Sequence, residues 1–161
     1  QSVVITHSTS SGRLGTVPRM PEPDPGHIRD LTHRWFEAMS NTDLAGLGEL
    51  MGDDVELNTA PSVRSEPRVG NVEVLGRLER IFTSGRYYAP GSFRWHVHEI
   101  IVEGEIAATR ATATATFPNG NPYANEYLIW QRWADGKLRY MLELFDPTHW
   151  SNQRQLEPGT D

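Results

Sequence analysis

Cysteine is absent from the chain. That excludes thiolate nucleophiles, disulfides and cysteine-based zinc sites, and leaves the redox compartment unassigned. Long apolar runs are missing as well, since no stretch approaches the roughly 18 residues that a membrane-spanning helix needs. Nor is positive charge concentrated anywhere. Fifteen Lys and Arg stand against 21 Asp and Glu, a net charge of −6, and no basic run occurs. A nucleic-acid partner is therefore not expected, because phosphate backbones call for clustered cations. The opening stretch lacks a basic segment followed by an apolar core, so no signal peptide is expected there. These absences together point to a soluble, cytoplasmic protein.

What remains suits one domain with a sizeable core in 161 residues. Residues 1–26, rich in Ser, Thr, Gly and Pro, read as an extended arm, with room for a short strand at Val3–Ile5. Residues 27–150 form the domain and residues 151–161 a tail. From His27, Ile28, Leu31, Trp35, Ala38 and Met39 make one apolar helical stripe. Asn41-Thr42-Asp43 stops that helix and caps a second, from Leu44 to Met51. A strand from Val55 to Thr59 and a loop from Ala60 to Arg68 follow. A third helix, Asn71 to Thr83, ends near Gly85. Four strands then succeed one another: Phe93–Val102, Glu105–Phe117, Tyr123–Trp133 and Lys137–Phe145. Helices first and a meander afterwards is an α+β order, with helices gathered on one face of an antiparallel sheet.

The turns allow cross-strand arithmetic. Asp135-Gly136 is a strong hairpin signal. With a three-residue loop there, Tyr127 falls opposite Glu143 and Asn125 opposite Phe145. A four-residue loop from Pro118 to Asn121 puts Thr112 opposite Tyr127, Thr114 opposite Asn125 and Arg110 opposite Ile129. A loop at Glu103–Glu105 brings His96 beside Thr112 and His98 beside Arg110. One face then gathers His96, His98, Arg110, Thr112, Thr114, Asn125, Tyr127 and Glu143. The other gathers Ala111, Ala113, Ala115, Leu128, Trp130, Tyr140, Leu142 and Leu144. On pattern alone the apolar face belongs under the helices and the polar face in water. The alternative puts helices over the Glu143 face, making a lined cavity, because Tyr127 and Asn125 amid Ile129, Met141 and Phe145 suit a mostly apolar pocket with a few polar groups.

The order of elements, with the ending Asp-Gly-Lys-Leu, strand, Glu-Leu-Phe-Asp-Pro, resembles the nuclear-transport-factor-2-like superfamily. Within it the chain is similar, from about Ile28 to Trp150, to SnoaL-like polyketide cyclases and limonene-epoxide hydrolases. The resemblance implies a cone-shaped, strongly curved antiparallel sheet roofed by N-terminal helices, a cavity on the concave face, and a homodimer through the outer face. In limonene-epoxide hydrolases an Arg and two Asp activate water and protonate the epoxide. The matching positions are Arg110 and Glu143, while Thr112 stands where the second Asp belongs. Asn58 is the match for a water-holding residue on the early strand.

The residues themselves support Glu143 as a general base, because a carboxylate among Met141, Phe145 and Tyr127 is desolvated and its pKa rises. Tyr127, Arg110 and His98 are its candidate partners as hydrogen-bond or proton donors. His96, Thr112, Asn125, Asn58, Phe145 and Trp35 are candidate substrate contacts. His96-Val97-His98 alone is too sparse for a metal site, and no cofactor is implied. The expectation is an isomerase or cyclase acting on a hydrophobic oxygenated molecule of polyketide, terpenoid or steroid character. An epoxide hydrolase and a non-catalytic ligand-binding or assembly module are the alternatives.

Overall fold

The helices are set by their caps. In the computed structural model, which describes residues 24–59 and 67–155, helix α1 runs Pro25–Asn41. It starts two residues earlier than the apolar period alone indicates, because Asp24 caps it by accepting from the Gly26 N–H at 2.9 Å and Pro25 occupies the first turn. The proposed arm before Asp24, its Val3–Ile5 strand, the loop residues 60–66 and the tail beyond Gln155 lie outside the described residues. Thr42 ends α1 in the left-handed region (φ 56°), and Asp43 then caps α2, Leu44–Leu50, through the Gly46 N–H. Helix α3 spans Asn71–Thr83 and a fourth helix, α4, spans Pro147–Gln155. None of the helices among the described residues is long and apolar enough to cross a membrane.

Among the described residues six strands, β1 Met51–Thr59, β2 Arg68–Val69, β3 Arg94–Glu103, β4 Ile106–Thr116, β5 Pro122–Ala134 and β6 Lys137–Phe145, form one sheet in the order β2-β1-β6-β5-β4-β3. The sheet is mixed rather than wholly antiparallel, since β1 runs parallel to β6. It is an open α+β sheet with helices on one face. That face holds Tyr123, Tyr127, Ile129, Trp133 and Met141, which join Ile28, Leu31, Trp35, Phe36, Leu47, Val74, Leu78 and Phe82 from the helices in one core. Strand β5 alternates buried and exposed from Tyr123 to Trp133, as period-two geometry requires of a sheet with one covered face.

Registers correct the arithmetic in one decisive place. The β4–β5 connection pairs Thr116 with Pro122, with the Phe117 N–H donating to the Asn121 carbonyl at 2.8 Å. It is one residue longer than a four-residue loop, and a one-residue change turns every side chain of a strand over. Ala111 therefore lies opposite Tyr127, Ala113 opposite Asn125 and Thr109 opposite Ile129. Arg110, Thr112 and Thr114 stand on the outer face. Between β5 and β6 two departures cancel. The turn is two residues, Asp135 and Gly136, both at positive φ (52° and 70°), and an irregularity between Arg132 and Trp133 restores the facing. Glu143 pairs with Ile129 and Phe145 with Tyr127. In β3, His96 does pair with Thr112, but a register shift between Val97 and Glu99 sets Glu99, not His98, beside Arg110.

Candidate active site

Against the covered face of β5 and β6 lies a cavity of about 450 Å³. Leu57 and Thr59 of β1 sit beside Met141 and Glu143 in the parallel register and line it with Glu143 and Phe145. Leu78, Ile81 and Phe82 of α3 line another side, and Phe93, just before β3, and Trp95 within it line a third. Tyr87 and Tyr88, on the segment between α3 and β3, and Trp150 of α4 close it together with Tyr127. The aromatic rings brace one another. Tyr127 stacks on Phe145 at 4.9 Å and meets Trp95 edge-on at 4.8 Å, and Phe93 meets Phe82 at 5.1 Å. Such a wall has little freedom to collapse.

Glu143 is the acid of this chamber. Its carboxylate has no hydrogen-bond or ion-pair partner among the described residues, and burial alone pushes its pKa up to about 7. The side chain is half-buried. What it reaches is the cavity space, while the surrounding walls keep bulk water at a distance, so the charged form lacks its full hydration. Nearby phenols are hydrogen-bonded too. The Trp150 indole N–H donates to the Tyr88 hydroxyl at 3.0 Å, and the Tyr123 and Tyr127 hydroxyls share a hydrogen bond of 2.6 Å. Burial, with lesser repulsion from Tyr123 and Glu143, raises the Tyr127 pKa far above the ordinary phenol range. Tyr127 therefore stays protonated.

The remaining expected site residues are dispersed. Arg110 is on the outer face, more than half exposed, in an ion pair with Glu126 at 3.0 Å. Thr112 shares that face and bonds His98 at 2.7 Å, while His96 bonds Thr114 at 3.0 Å; both histidines are exposed. The extra residue in the β4–β5 connection is the reason, since it turns β4 and its histidine partners outward. Asn58 borders the cavity, but its register partner is Leu142 and its amide donates to Glu56 at 2.6 Å, so it is directed to the outer side. Asn125 faces inward yet is engaged by the Asp146 carbonyl at 2.8 Å. Trp35 is 1% exposed, in the core beneath α1, and does not border the cavity. Phe145, Tyr127 and Glu143 are the expected residues that the cavity brings together.

Sequence reasoning missed Tyr87, Tyr88, Trp95 and Arg77 as cavity residues, and it missed the helix α4 that carries Trp150 to the cavity. For α4 a signal was present. Asp146 followed by Pro147 is a helix start, and Asp146 accepts from the Thr148 and His149 N–H groups at 2.9 and 3.0 Å. The Tyr87-Tyr88 pair lies in a non-repetitive segment that no periodicity marks. Among the described residues no cluster of three His, Asp or Glu is arranged to hold a metal ion.

The family model of the SnoaL-like domain matches residues 32–141, most of the chain. The chain belongs to the SnoaL-like family. No curated protein matches it. Among solved structures, this SnoaL-like chain is similar to a protein provisionally named a SnoaL-like polyketide cyclase from Jannaschia sp. CCS1. Identity is 16% over 87% of this chain and 98% of that one, with a TM-score of 0.72. It is also similar to an LEH-like epoxide hydrolase of M. tuberculosis (16% identity, 81% of this chain and 91% of that one, TM-score 0.68). A third is IdmH, provisionally a polyketide cyclase, from Streptomyces antibioticus (22% identity, 80% and 99%, TM-score 0.66). At these identities the likeness establishes the fold, the nuclear-transport-factor-2-like α+β cone, which hosts unrelated chemistries.

Proposed function

We propose that this SnoaL-like protein is a cofactor-independent isomerase or cyclase acting on a hydrophobic, oxygenated small molecule, with Glu143 as general base. The observation that carries this reading is the unpartnered Glu143 carboxylate, raised to about 7 by burial, in a chamber otherwise lined mainly by apolar and aromatic side chains. A base of that strength is substantially ionised at neutral pH yet avid enough for a proton on a carbon next to a carbonyl. As that proton moves to Glu143, the electron pair shifts to the carbonyl oxygen. Tyr127 is the donor for that oxygen. With Tyr123 as the donor of the hydrogen bond the two phenols share, the Tyr127 proton is left for the cavity. Return of the proton from Glu143 to a different carbon completes an isomerisation. Attack of the enolate carbon on a second carbonyl of the same molecule, with the second carbonyl's π electrons moving to its oxygen and the Glu143 proton passing to the resulting alkoxide, completes a cyclisation. Epoxide hydrolysis of the limonene-epoxide hydrolase type is disfavoured, because Arg110 and Thr112 lie across the sheet from the cavity.

A homodimer through the outer face belongs to the same proposal. Ile101, Leu128, Trp130 and Leu144 are 62%, 58%, 41% and 43% exposed and border one shallow groove, an apolar patch of the kind that marks an interface.

The catalytic test needs no knowledge of the natural substrate. 2-Tetralone, a hydrophobic ketone with acidic α-hydrogens, is incubated with the protein in D2O and its exchange followed by NMR. Exchange is expected above the buffer rate, rising with pH to a plateau above about 7 as Glu143 ionises. Glu143→Gln is expected to slow it by roughly 10²–10⁴-fold while 2-tetralone still binds. Equal exchange by the variant would rule out the base, and binding without exchange by the wild type would favour a ligand-binding module.

A further inference from the structure

Fifteen cations and 21 acids in one chain leave enough carboxylates for every arginine, yet among the described residues Arg77 at the cavity wall, with Arg86 and Arg154 near that wall, has none. Arg77 of α3 lines the cavity, half-buried. It donates to the Tyr87 hydroxyl at 2.8 Å and lies over the Tyr87 ring at 5.0 Å. Arg154 of α4 lies over the Trp150 ring at 5.1 Å and donates to the Arg86 carbonyl at 3.0 Å. Tyr87 and Trp150 are both cavity wall. The ion pairs among the described residues engage Arg68, Arg110 and Arg139, and none engages Arg77, Arg86 or Arg154. A half-buried guanidinium at a cavity wall with no carboxylate beside it favours an anion there. Arginine's planar fork, with five N–H donors of which Arg77 commits one to Tyr87, matches a carboxylate in two-point fashion.

The positive potential at this wall registers on Tyr87 itself. The Arg77 hydrogen bond, followed by the charges of Arg77, Arg86 and Arg154, holds its phenol below the usual range against the opposing effect of burial. Conditions that favour a phenolate there favour a ligand carboxylate at the same wall. Glu143, by contrast, is shifted by burial alone, with no guanidinium lowering it. Glu143 and Arg77 thus line one largely apolar chamber without acting on each other's charge.

We propose that Arg77, backed by Arg86 and Arg154, is a carboxylate-binding subsite, and that the substrate is an amphiphilic carboxylic acid. Its carboxylate docks at the Tyr87–Arg77 wall and its oxygenated carbon skeleton extends towards Glu143. This assignment deepens the general-base reading and rests on it for the orientation of the skeleton, whereas the subsite itself is tested by binding alone. Arg77 is a binding residue here and takes no part in proton transfer.

The probes are 2-naphthoate and its neutral isostere 2-naphthamide, titrated calorimetrically into the whole protein at pH 8. The acid is expected to bind at least about tenfold more tightly than the amide, the scale of a charge-assisted fork. Arg77→Gln is expected to bring the acid down to the amide's affinity and to leave the amide unchanged. Arg154→Gln, a more peripheral substitution, is expected to reduce the preference by a few fold. Equal affinity for acid and amide in the wild type, or an acid preference that survives Arg77→Gln, overturns the subsite. Either result leaves 2-tetralone exchange, and with it the role of Glu143, untouched. Failure of both probes to bind overturns the subsite and the ligand-binding cavity together.

Discussion

Among the described residues Glu143 is a carboxyl with nothing to pair its charge with, and that single fact couples stability to chemistry. Its folded-state pKa, about 7, lies above the 4.5 of an exposed glutamate, so the folded state holds a proton that the unfolded state has released. Between those two values stability falls as pH rises, and above about 7 it levels off. Glu143→Gln removes a charge that cannot be solvated and keeps the shape. The variant is expected to be more stable than wild type at pH 8 by roughly 1–3 kcal/mol. At pH 4, where both side chains are neutral, the difference should vanish. Thermal or urea unfolding at the two pH values checks this, and a variant that is less stable at pH 8 would mean that the carboxylate is held by partners after all. A substitution that strengthens the fold while abolishing exchange is the signature of a residue kept for function.

At the scale of elements, strand existence was legible and strand facing was not. Period-two runs such as Ala111–Thr116 declare a strand, but which side they show depends on the connection before or after them. The stretch from Phe117 to Asn121 closes with a bond from Phe117 to Asn121, and nothing in Pro-Asn-Gly-Asn announces that extra residue. Arg110, Thr112, His96 and His98 consequently left the expected site as a group. Glu143, Tyr127 and Phe145 stayed together because a short turn and an irregularity in the β5–β6 pair offset each other. Helix α4 went unread although Asp146-Pro147 signals a helix start, and its capping has a consequence for the cavity. Asp146→Ala removes two hydrogen bonds to the first turn and is expected to cost about 1 kcal/mol. It should also loosen Trp150 from Tyr88, seen as a red shift and loss of intensity in tryptophan emission. An unchanged midpoint and spectrum would show that α4 is held by packing alone.

Across the whole molecule the two sides of the sheet have separate tasks: the helix-covered side encloses the chamber, and the other carries exposed Leu128, Trp130 and Leu144. Analytical ultracentrifugation at micromolar concentration is expected to give a dimer. The double substitution Leu128→Glu and Leu144→Lys should convert it to a monomer that still binds 2-tetralone, and a monomeric wild type would refute the interface. Everything catalytic, however, depends on the fold keeping water from one carboxyl group. That is measured most directly by following the Glu143 side-chain carboxyl carbon by ¹³C NMR through a pH titration, with Glu143→Gln identifying the signal. A midpoint near 7 is expected. A midpoint near 4.5, the value of a glutamate in open water, would contradict it.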